Sequence, residues 1–156
     1  MNCLVIGGSG LIGSALVKEL ELAGHEVTAP LRSECDIETN RMFYPGQEVV
    51  FLCAGIKGIK PNETDRVKSW RVNVDGALIT GIFAMRCGMR LVYVSSDAVE
   101  WLDTHYTRQK ALVEVGLLAA GRPVIVRPST VTPERAPEFA RFMIDRMDKP
   151  GFHYWT

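Results

Sequence analysis

The sequence predicts a single α/β domain in three layers, with helices on both faces of a parallel sheet. Short runs of β-branched and apolar residues alternate with longer runs at helical spacing, as strands joined by helical crossovers require. The strand runs are almost continuously apolar, which fits strands covered on both faces. At the amino end, Val5-Ile6-Gly7-Gly8-Ser9-Gly10-Leu11-Ile12-Gly13 runs a buried strand through a glycine-rich turn into a helix.

Taken in order, the strands read at 2–6, 25–29, 48–53, 90–95 and 123–127, with a weaker one near Asp36-Ile37. A first helix spans 11–23 and stops at Gly24, which suits a left-handed C-terminal turn. A short second helix falls near 38–43. The third, over 63–87, carries Val67, Trp70, Val74, Leu78, Ile82 and Met85 at helical spacing, so one face is expected on the sheet. The fourth covers 104–120, with Asp103 or Thr104 as its cap. Pro137 opens a last amphipathic helix that carries Phe139, Phe142, Met143 and Met147. Residues 150–156 read as a packed or partner-contacting tail. No internal repeat, low-complexity stretch or linker interrupts the chain.

Composition narrows the function classes. The chain has 156 residues, enough for one domain with an ordinary core. Its 18 basic and 18 acidic residues cancel, and no basic block stands out, which argues against nucleic acid as the main partner. No apolar run reaches the length of a membrane span, and the first residues read as a strand rather than a signal peptide. Cys3, Cys35, Cys53 and Cys87 are scattered, with no CxxC and no nearby pair of histidines. They read as reduced core thiols of a cytoplasmic protein, and no zinc or other metal site is expected.

The chemistry sits in two motifs. Gly7, Gly10 and Gly13 stand three apart, an arrangement that turns the backbone sharply and lets it approach a pyrophosphate. The positive dipole end of the following helix then faces the phosphates. Downstream, Tyr106-Thr107-Arg108-Gln109-Lys110 forms a YxxxK after a strand that ends in Ser95-Ser96. Tyr106 and Lys110 lie one turn apart on one helix face. A phenol titrates near ~10, and a neighbouring ammonium together with an oxidised nicotinamide ring is expected to pull that value down. Tyr106 then exchanges a proton with a hydroxyl or carbonyl while hydride moves, and Lys110 also holds the ribose hydroxyls. Ser96, at a strand's carboxyl end, orients the substrate oxygen; Ser95 takes that place if the register slips by one. After the second strand no acid appears until Glu34, whereas Arg32 and Ser33 suit a 2′-phosphate, which favours NADPH over NADH.

Several stretches together resemble the extended branch of the short-chain dehydrogenase/reductase superfamily, the NAD-dependent epimerases and dehydratases. They are the glycine turn at 7–13, Cys53-Ala54-Gly55, Asn73-Val74-Asp75-Gly76, Val94-Ser95-Ser96-Asp97-Ala98-Val99 and the YxxxK. Val126-Arg127-Pro128-Ser129-Thr130-Val131 resembles the close of the sixth strand in these enzymes, so the likeness covers about residues 2–132. Ser96-Asp97 and the 32–37 region are similar to dTDP-4-dehydrorhamnose reductases. Ala54-Gly55-Ile56-Lys57-Gly58, with Asn62 and Asn73, is similar to GDP-fucose synthases.

The resemblance implies a Rossmann-type doubly wound sheet that binds NAD(P) and acts on a carbonyl or secondary alcohol of a nucleotide sugar by reduction, epimerisation or dehydration. It implies Ser96, Tyr106 and Lys110 as catalytic groups, with Asn73 holding a water relay or a helix kink beside the lysine. Gly7, Gly10, Leu11, Ile12, Gly13, Cys53, Ala54 and Gly55 would line the cofactor, with Asp36 and Ile37 along the adenine. Asp97 is either a substrate contact or a loop cap. Two departures stand out. Ten positions separate Ser96 from Tyr106, so the loop that helps cover the sugar in extended members is largely missing. Residues 133–156 also fall where relatives continue into a substrate lobe. A non-catalytic NAD(P)-binding sensor or structural subunit, and a reductase of a small carbonyl compound, therefore stand as alternatives.

Other residues carry weaker expectations. His105 points about 100° away from Tyr106 on a helix, and Trp101 reads as packing that seals the short loop. Ala111, Leu112, Val113, Val115, Leu117, Leu118, Ala119 and Ala120 make the fourth helix apolar nearly all round, more than one covered face needs. A homodimer through the helices near 63–87 and 104–120 is the expected cover, with the C-terminal helix as the rival.

Overall fold

The computed structural model describes residues 1–40 and 46–156. Its sheet comprises β1 (Asn2–Ile6), β2 (Glu26–Thr28), β3 (Val49–Leu52), β4 (Arg90–Val94), β5 (Val124–Pro128) and β6 (Gly151–Trp155). The strands lie side by side as β2-β1-β3-β4-β5-β6, each pair parallel. The helices are α1 (Leu11–Leu22), α2 (Ile59–Thr64), α3 (Arg66–Trp70), α4 (Ala77–Arg86), α5 (His105–Ala120) and α6 (Ala136–Ile144). Among the described residues, no helix is long and apolar enough to cross a membrane.

The alternation of strand side chains divides the core in two. Cys3, Val5, Val49, Phe51, Val92, Val94, Val124 and Val126 face α1 and α6, where Leu16, Leu20, Phe139 and Met143 are fully buried. Leu4, Ile6, Val50, Leu52, Leu91, Tyr93 and Ile125 face the other way and pack under α4 and α5. This is the three-layer, doubly wound Rossmann-type arrangement the sequence predicts. The chain winds one way from β1 to β2 and the other way from β3 onward, so a crevice opens between β1 and β3 at the strands' carboxyl ends.

Helix ends follow local chemistry. Gly24 has φ 79°, the left-handed turn that glycine adopts without strain, just past α1. Thr104 caps α5 in a capping box with Thr107: each side chain bonds the other's backbone N–H. Pro137 stands in the first turn of α6.

Three readings need correction. The helix expected over 63–87 is broken. Asp65 ends α2 and caps α3 by accepting from Lys68 N–H, and a π-helical turn over Arg71–Gly76 joins α3 to α4. An inserted residue rotates everything before it, so Val67 (65% exposed) and Trp70 face outward while Val72, Asn73 and Val74 turn in. Residues 150–156, read as a packed or partner-contacting tail, do pack, but as a strand that the sequence reading did not include: Gly151–Trp155 pairs with β5 from Val124 to Pro128, and Trp155 is buried against Phe139 at 5.0 Å between ring centroids. Cys87, at the C-terminal cap of α4, is exposed, whereas Cys3 and Cys35 are buried.

Near Asp36-Ile37 the weak strand reduces to a single bridging residue, Asp36. Of the short helix expected near 38–43, residues 41–43 lie outside the described residues, and 38–40 form turns. Trp101 does not seal the loop; it is 70% exposed.

Candidate functional site

Two cavities share the wall formed by Gly55 and Ile56 along the carboxyl ends of the strands. The first, of about 340 Å³, is lined by Gly10, Leu11, Ile12, Gly13, Cys53 and Gly55 on one side and by Ser95, Ser96, Tyr106 and Lys110 on the other. The second, of about 350 Å³, is lined by Gly7, Arg32, Asp36, Ile37 and Ala54 among others. Tyr106, Lys110 and Ser96 therefore meet in one space although they come from α5 and the end of β4. Ser33, Asp97 and Asn73 line neither cavity.

The glycine turn joins the two cavities. Gly7 has φ 92°, and a Cβ there would lie 2.7 Å from the Ala54 nitrogen. A Cβ on Gly13 would lie 2.1 Å from the Gly7 carbonyl oxygen, so only glycine lets α1 pack this close to β1. No side chain caps α1, whose N-cap residue is Gly10, so its first amides and dipole face the cavity.

On the opposite wall, the Lys110 ammonium donates to the Val94 carbonyl at 2.9 Å and lies 4.8 Å from the Tyr93 ring centroid and 6.0 Å from that of Tyr106. Burial, the largest influence, brings its pKa down to about 8, while Glu114 and Cys53 work the other way. Burial also raises the Tyr106 phenol above its ordinary value. The sequence led us to expect phenolate. Among the chain's own groups, the desolvation of a buried anion outweighs an ammonium that stands over the ring rather than against the hydroxyl, so they move the phenol upward. Burial likewise lifts the Cys53 thiol to about 12, leaving it protonated in the cavity wall.

Ser96 Oγ accepts from the Ala98 N–H at 3.3 Å and so caps the 3₁₀ turn over Asp97–Glu100. The hydroxyl of Ser95, a residue 4% exposed, has no hydrogen-bond partner among the described residues, and Ser95 lines the same cavity. An unsatisfied buried hydroxyl calls for an explanation, and a ligand group supplies one. With the uncapped helix end that the close packing of Gly13 on the Gly7 turn brings to the cavity, these features fit a dinucleotide.

Asn73 sits in the π-helical turn, 2% exposed. Its Oδ1 accepts from Ile56 N–H at 2.8 Å, and its Nδ2 donates to Ile56 O, Asn62 Oδ1 and Gln109 Oε1. Of the two roles the resemblance implies, this geometry corresponds to the kink, since protein groups occupy the amide. His105 bonds Gln109 at 2.9 Å and is absent from the lining of both cavities. Arg32 reaches Asp36 Oδ2 at 3.2 Å and Glu38 Oε2 at 2.7 Å at the rim of the second cavity.

Sequence reasoning named none of Lys57, Ser129, Val131 and Lys68 as site residues, though they line these cavities. For Ser129 and Val131 a signal existed: they directly follow a strand, and ligands bind beyond the carboxyl ends of such strands. No comparable pattern marks Lys68, which faces its cavity from α3.

A parallel, doubly wound sheet with a glycine-rich turn after its first strand and a Tyr–Lys pair in its crevice is the arrangement of a dinucleotide-binding α/β domain. The model of the NAD dependent epimerase/dehydratase family matches residues 3–111, and the chain belongs to that family. The spore coat polysaccharide biosynthesis protein SpsK of Bacillus subtilis is 28% identical over 101 residues, 62% of this chain and 36% of that protein. A dTDP-4-dehydrorhamnose reductase of Mycolicibacterium smegmatis is 29% identical over 101 residues, again 62% of this chain and 30% of that protein. The chain thus matches about a third of the length of these curated relatives. In fold it is similar to the dTDP-4-dehydrorhamnose reductase of Clostridium acetobutylicum, with a TM-score of 0.83 at 17% identity, covering 100% of this chain and 74% of that one. The UDP-glucose 4-epimerase of Thermus thermophilus in complex with NAD gives 0.66 at 25% identity, covering 82% and 55%.

The Lys110 geometry makes a stability prediction. Its pKa falls from 10.5 to about 8 on folding, so burying the ammonium costs stability below about pH 8. That cost fades as pH rises from about 8 to 10.5, where the unfolded chain also loses the proton. Lys110→Met is expected to raise stability at pH 7 by up to about 3 kcal/mol, with the gain shrinking toward pH 10. Urea melts of both proteins across this range check it; a gain independent of pH would mean that the ammonium carries no burial cost.

Proposed function

We propose that the chain is an NAD(P)-dependent oxidoreductase or epimerase of the short-chain dehydrogenase type, acting on a carbonyl or secondary alcohol of a nucleotide sugar. The observation that carries this reading is the convergence of Tyr106, Lys110 and Ser96 on one cavity with the glycine turn along its opposite wall. When bound, the dinucleotide supplies or accepts hydride. Everything else falls to the chain's own side chains.

Tyr106, protonated because it is buried, donates its proton to the substrate oxygen in the reducing direction. The Lys110 ammonium stabilises the phenolate left behind and holds the ribose hydroxyls. Ser96 already accepts from Ala98 N–H, so its own hydrogen is available to donate to the developing oxyanion. The Ser95 hydroxyl, without a partner among the described residues, is placed to meet the cofactor or the substrate. Gly10, Leu11, Ile12 and Gly13 bind the pyrophosphate through backbone N–H groups.

NADPH is the favoured dinucleotide in this reading. Among the described residues that line the second cavity, Arg32 is the only guanidinium, and Asp36 and Glu38 hold its fork at the rim. A 2′-phosphate takes up that fork in competition with Glu38.

The reading includes a second copy of the chain. On the face away from the sheet, α4 exposes Ile79 and Phe83, and α5 exposes Leu112, Val115 and Leu118. The rival cover, α6, packs with α1 on the other side of the sheet. Self-association of this face removes the apolar surface from water.

Three measurements test these proposals. With NADPH and a panel of UDP-, dTDP- and GDP-sugars, Tyr106→Phe is expected to lose roughly 10²–10⁴-fold in turnover while dinucleotide affinity stays within about threefold. Dinucleotide binding by the wild type without turnover of any sugar would overturn the nucleotide-sugar reading in favour of a sensor or small-carbonyl role. Arg32→Ala is expected to weaken NADPH about tenfold and leave NADH unchanged, while Glu38→Ala strengthens NADPH; equal effects on both dinucleotides would remove the preference. Light scattering at micromolar concentration is expected to show a dimer that Phe83→Glu with Leu112→Glu dissociates, and a wild-type monomer would rule the interface out.

A further inference from the structure

We propose that Arg127 and Glu114 form a positioning pair for Lys110, in which Arg127 grips the Glu114 carboxylate and holds it away from the lysine so that the ammonium stays directed at the cavity. The proposal rests on the reading of Lys110 as a working cation of the site.

Tyr106, Lys110 and Glu114 succeed one another at four-residue steps on α5 and so share one face. A carboxylate one turn beyond a lysine ordinarily pairs with it. Here it does not. Glu114, 3% exposed, places both oxygens on the Arg127 fork: Nε donates to Oε1 at 2.9 Å and Nη2 to Oε2 at 2.6 Å. Lys110 Nζ donates instead to the Val94 carbonyl and lines the cavity. Two buried cations thus flank one buried carboxylate, and geometry gives the hydrogen bonds to the arginine and only the long-range field to the lysine.

Arg127 is itself fixed from several sides. Its Nη1 donates to Glu100 Oε1 at 2.6 Å and to the Tyr154 hydroxyl at 2.7 Å, and Tyr154 in turn bonds Glu100. The guanidinium carbon stands 4.3 Å from the Phe152 ring centroid. Glu100 closes the 3₁₀ turn that Ser96 caps, and Phe152 and Tyr154 belong to β6. One side chain on β5 therefore ties together the helix that carries Tyr106 and Lys110, the turn that follows Ser96, and the edge strand. This also gives β6 a role in the site although its own residues do not line it.

The groups that face Lys110 are Glu114 and Tyr106 from α5, Cys53 from the end of β3 and Tyr93 from β4, with Arg127 behind Glu114. Cys53 and both tyrosines are protonated near neutral pH because burial raises them, so beside the dominant effect of burial Glu114 is the charge that acts on the lysine directly, and Arg127 acts on it through its grip on Glu114. Removing Glu114 takes away the anion that favours the ammonium. Removing Arg127 does the opposite twice over: it deletes a cation and frees Glu114 to reach Lys110 directly. The two changes must move the lysine in opposite directions, which a purely structural role does not require.

The test is a titration of the Lys110 Nζ resonance by NMR on protein labelled with ¹⁵N-lysine, in the absence of any dinucleotide. Glu114→Gln is expected to move the midpoint down by about one pH value and Arg127→Met to move it up by a similar amount. Arg127→Lys, which keeps the charge but not the fork, serves if Arg127→Met does not fold. The double change Arg127→Met with Glu114→Leu removes the pair without stranding a charge, and is expected to follow Glu114→Gln downward. NADPH affinity at pH 7 should fall about tenfold in Arg127→Met, as the ammonium leaves the cavity. Midpoints that stay put, or shift in one direction for both single changes, would overturn the proposal. A wild type that binds no dinucleotide would instead remove the functional reading while the titration still decides the role of the pair.

Discussion

All six strands run the same way, so every strand delivers its carboxyl end to one edge of the sheet, and that constraint arranges the rest of the molecule. The glycine turn leaves β1, Cys53 and Gly55 follow β3, Ser95 and Ser96 follow β4, and Pro128 and Ser129 close β5. Residues far apart in the chain become neighbours because strand direction leaves them no other place. The close packing of Gly13 on the Gly7 carbonyl brings the first helix down onto this edge, and burial along the opposite wall then sets the protonation of what meets there. Tyr106 remains a phenol and Lys110 becomes a weakened cation for the same reason: both have lost water.

Much of this was legible in the residues. Continuous apolar runs located β1, β3, β4 and β5, and Gly24 and Thr104 marked helix boundaries, because those signals are local and depend on one backbone conformation or one cap. What was not legible depended on distant partners. The π-helical turn at Arg71–Gly76 is stabilised by hydrogen bonds from Asn73 to Ile56, Asn62 and Gln109, which no spacing rule within 63–87 reveals. The edge strand at Gly151–Trp155 carried a signal in its aromatic residues after Pro150-Gly151, but its pairing is decided by β5.

The site shows the same division. The glycine spacing and the YxxxK picked out Gly10, Gly13, Tyr106 and Lys110, which share one cavity, and Gly7, which lines the other, since both patterns fix backbone position directly. The upward push of burial on Tyr106 was not legible because a sequence shows which charges are nearby and not how much water they have lost. Arg32 looked open toward a phosphate in the sequence, yet the fold pairs it with Asp36 and Glu38. Arg127 drew notice only as part of a family-like stretch, although it connects α5, the turn after Ser96 and β6.

The cysteines have a practical side. Cys53 is held as an unreactive thiol in the cavity wall, Cys3 and Cys35 are enclosed by core side chains, and Cys87 stands in the open at the far end of α4, beside the amino ends of the strands. Thiolate chemistry therefore selects one position, on the side of the sheet opposite the cavities. A fluorophore or surface tether attached there would report on or immobilise the folded protein while leaving the crevice untouched.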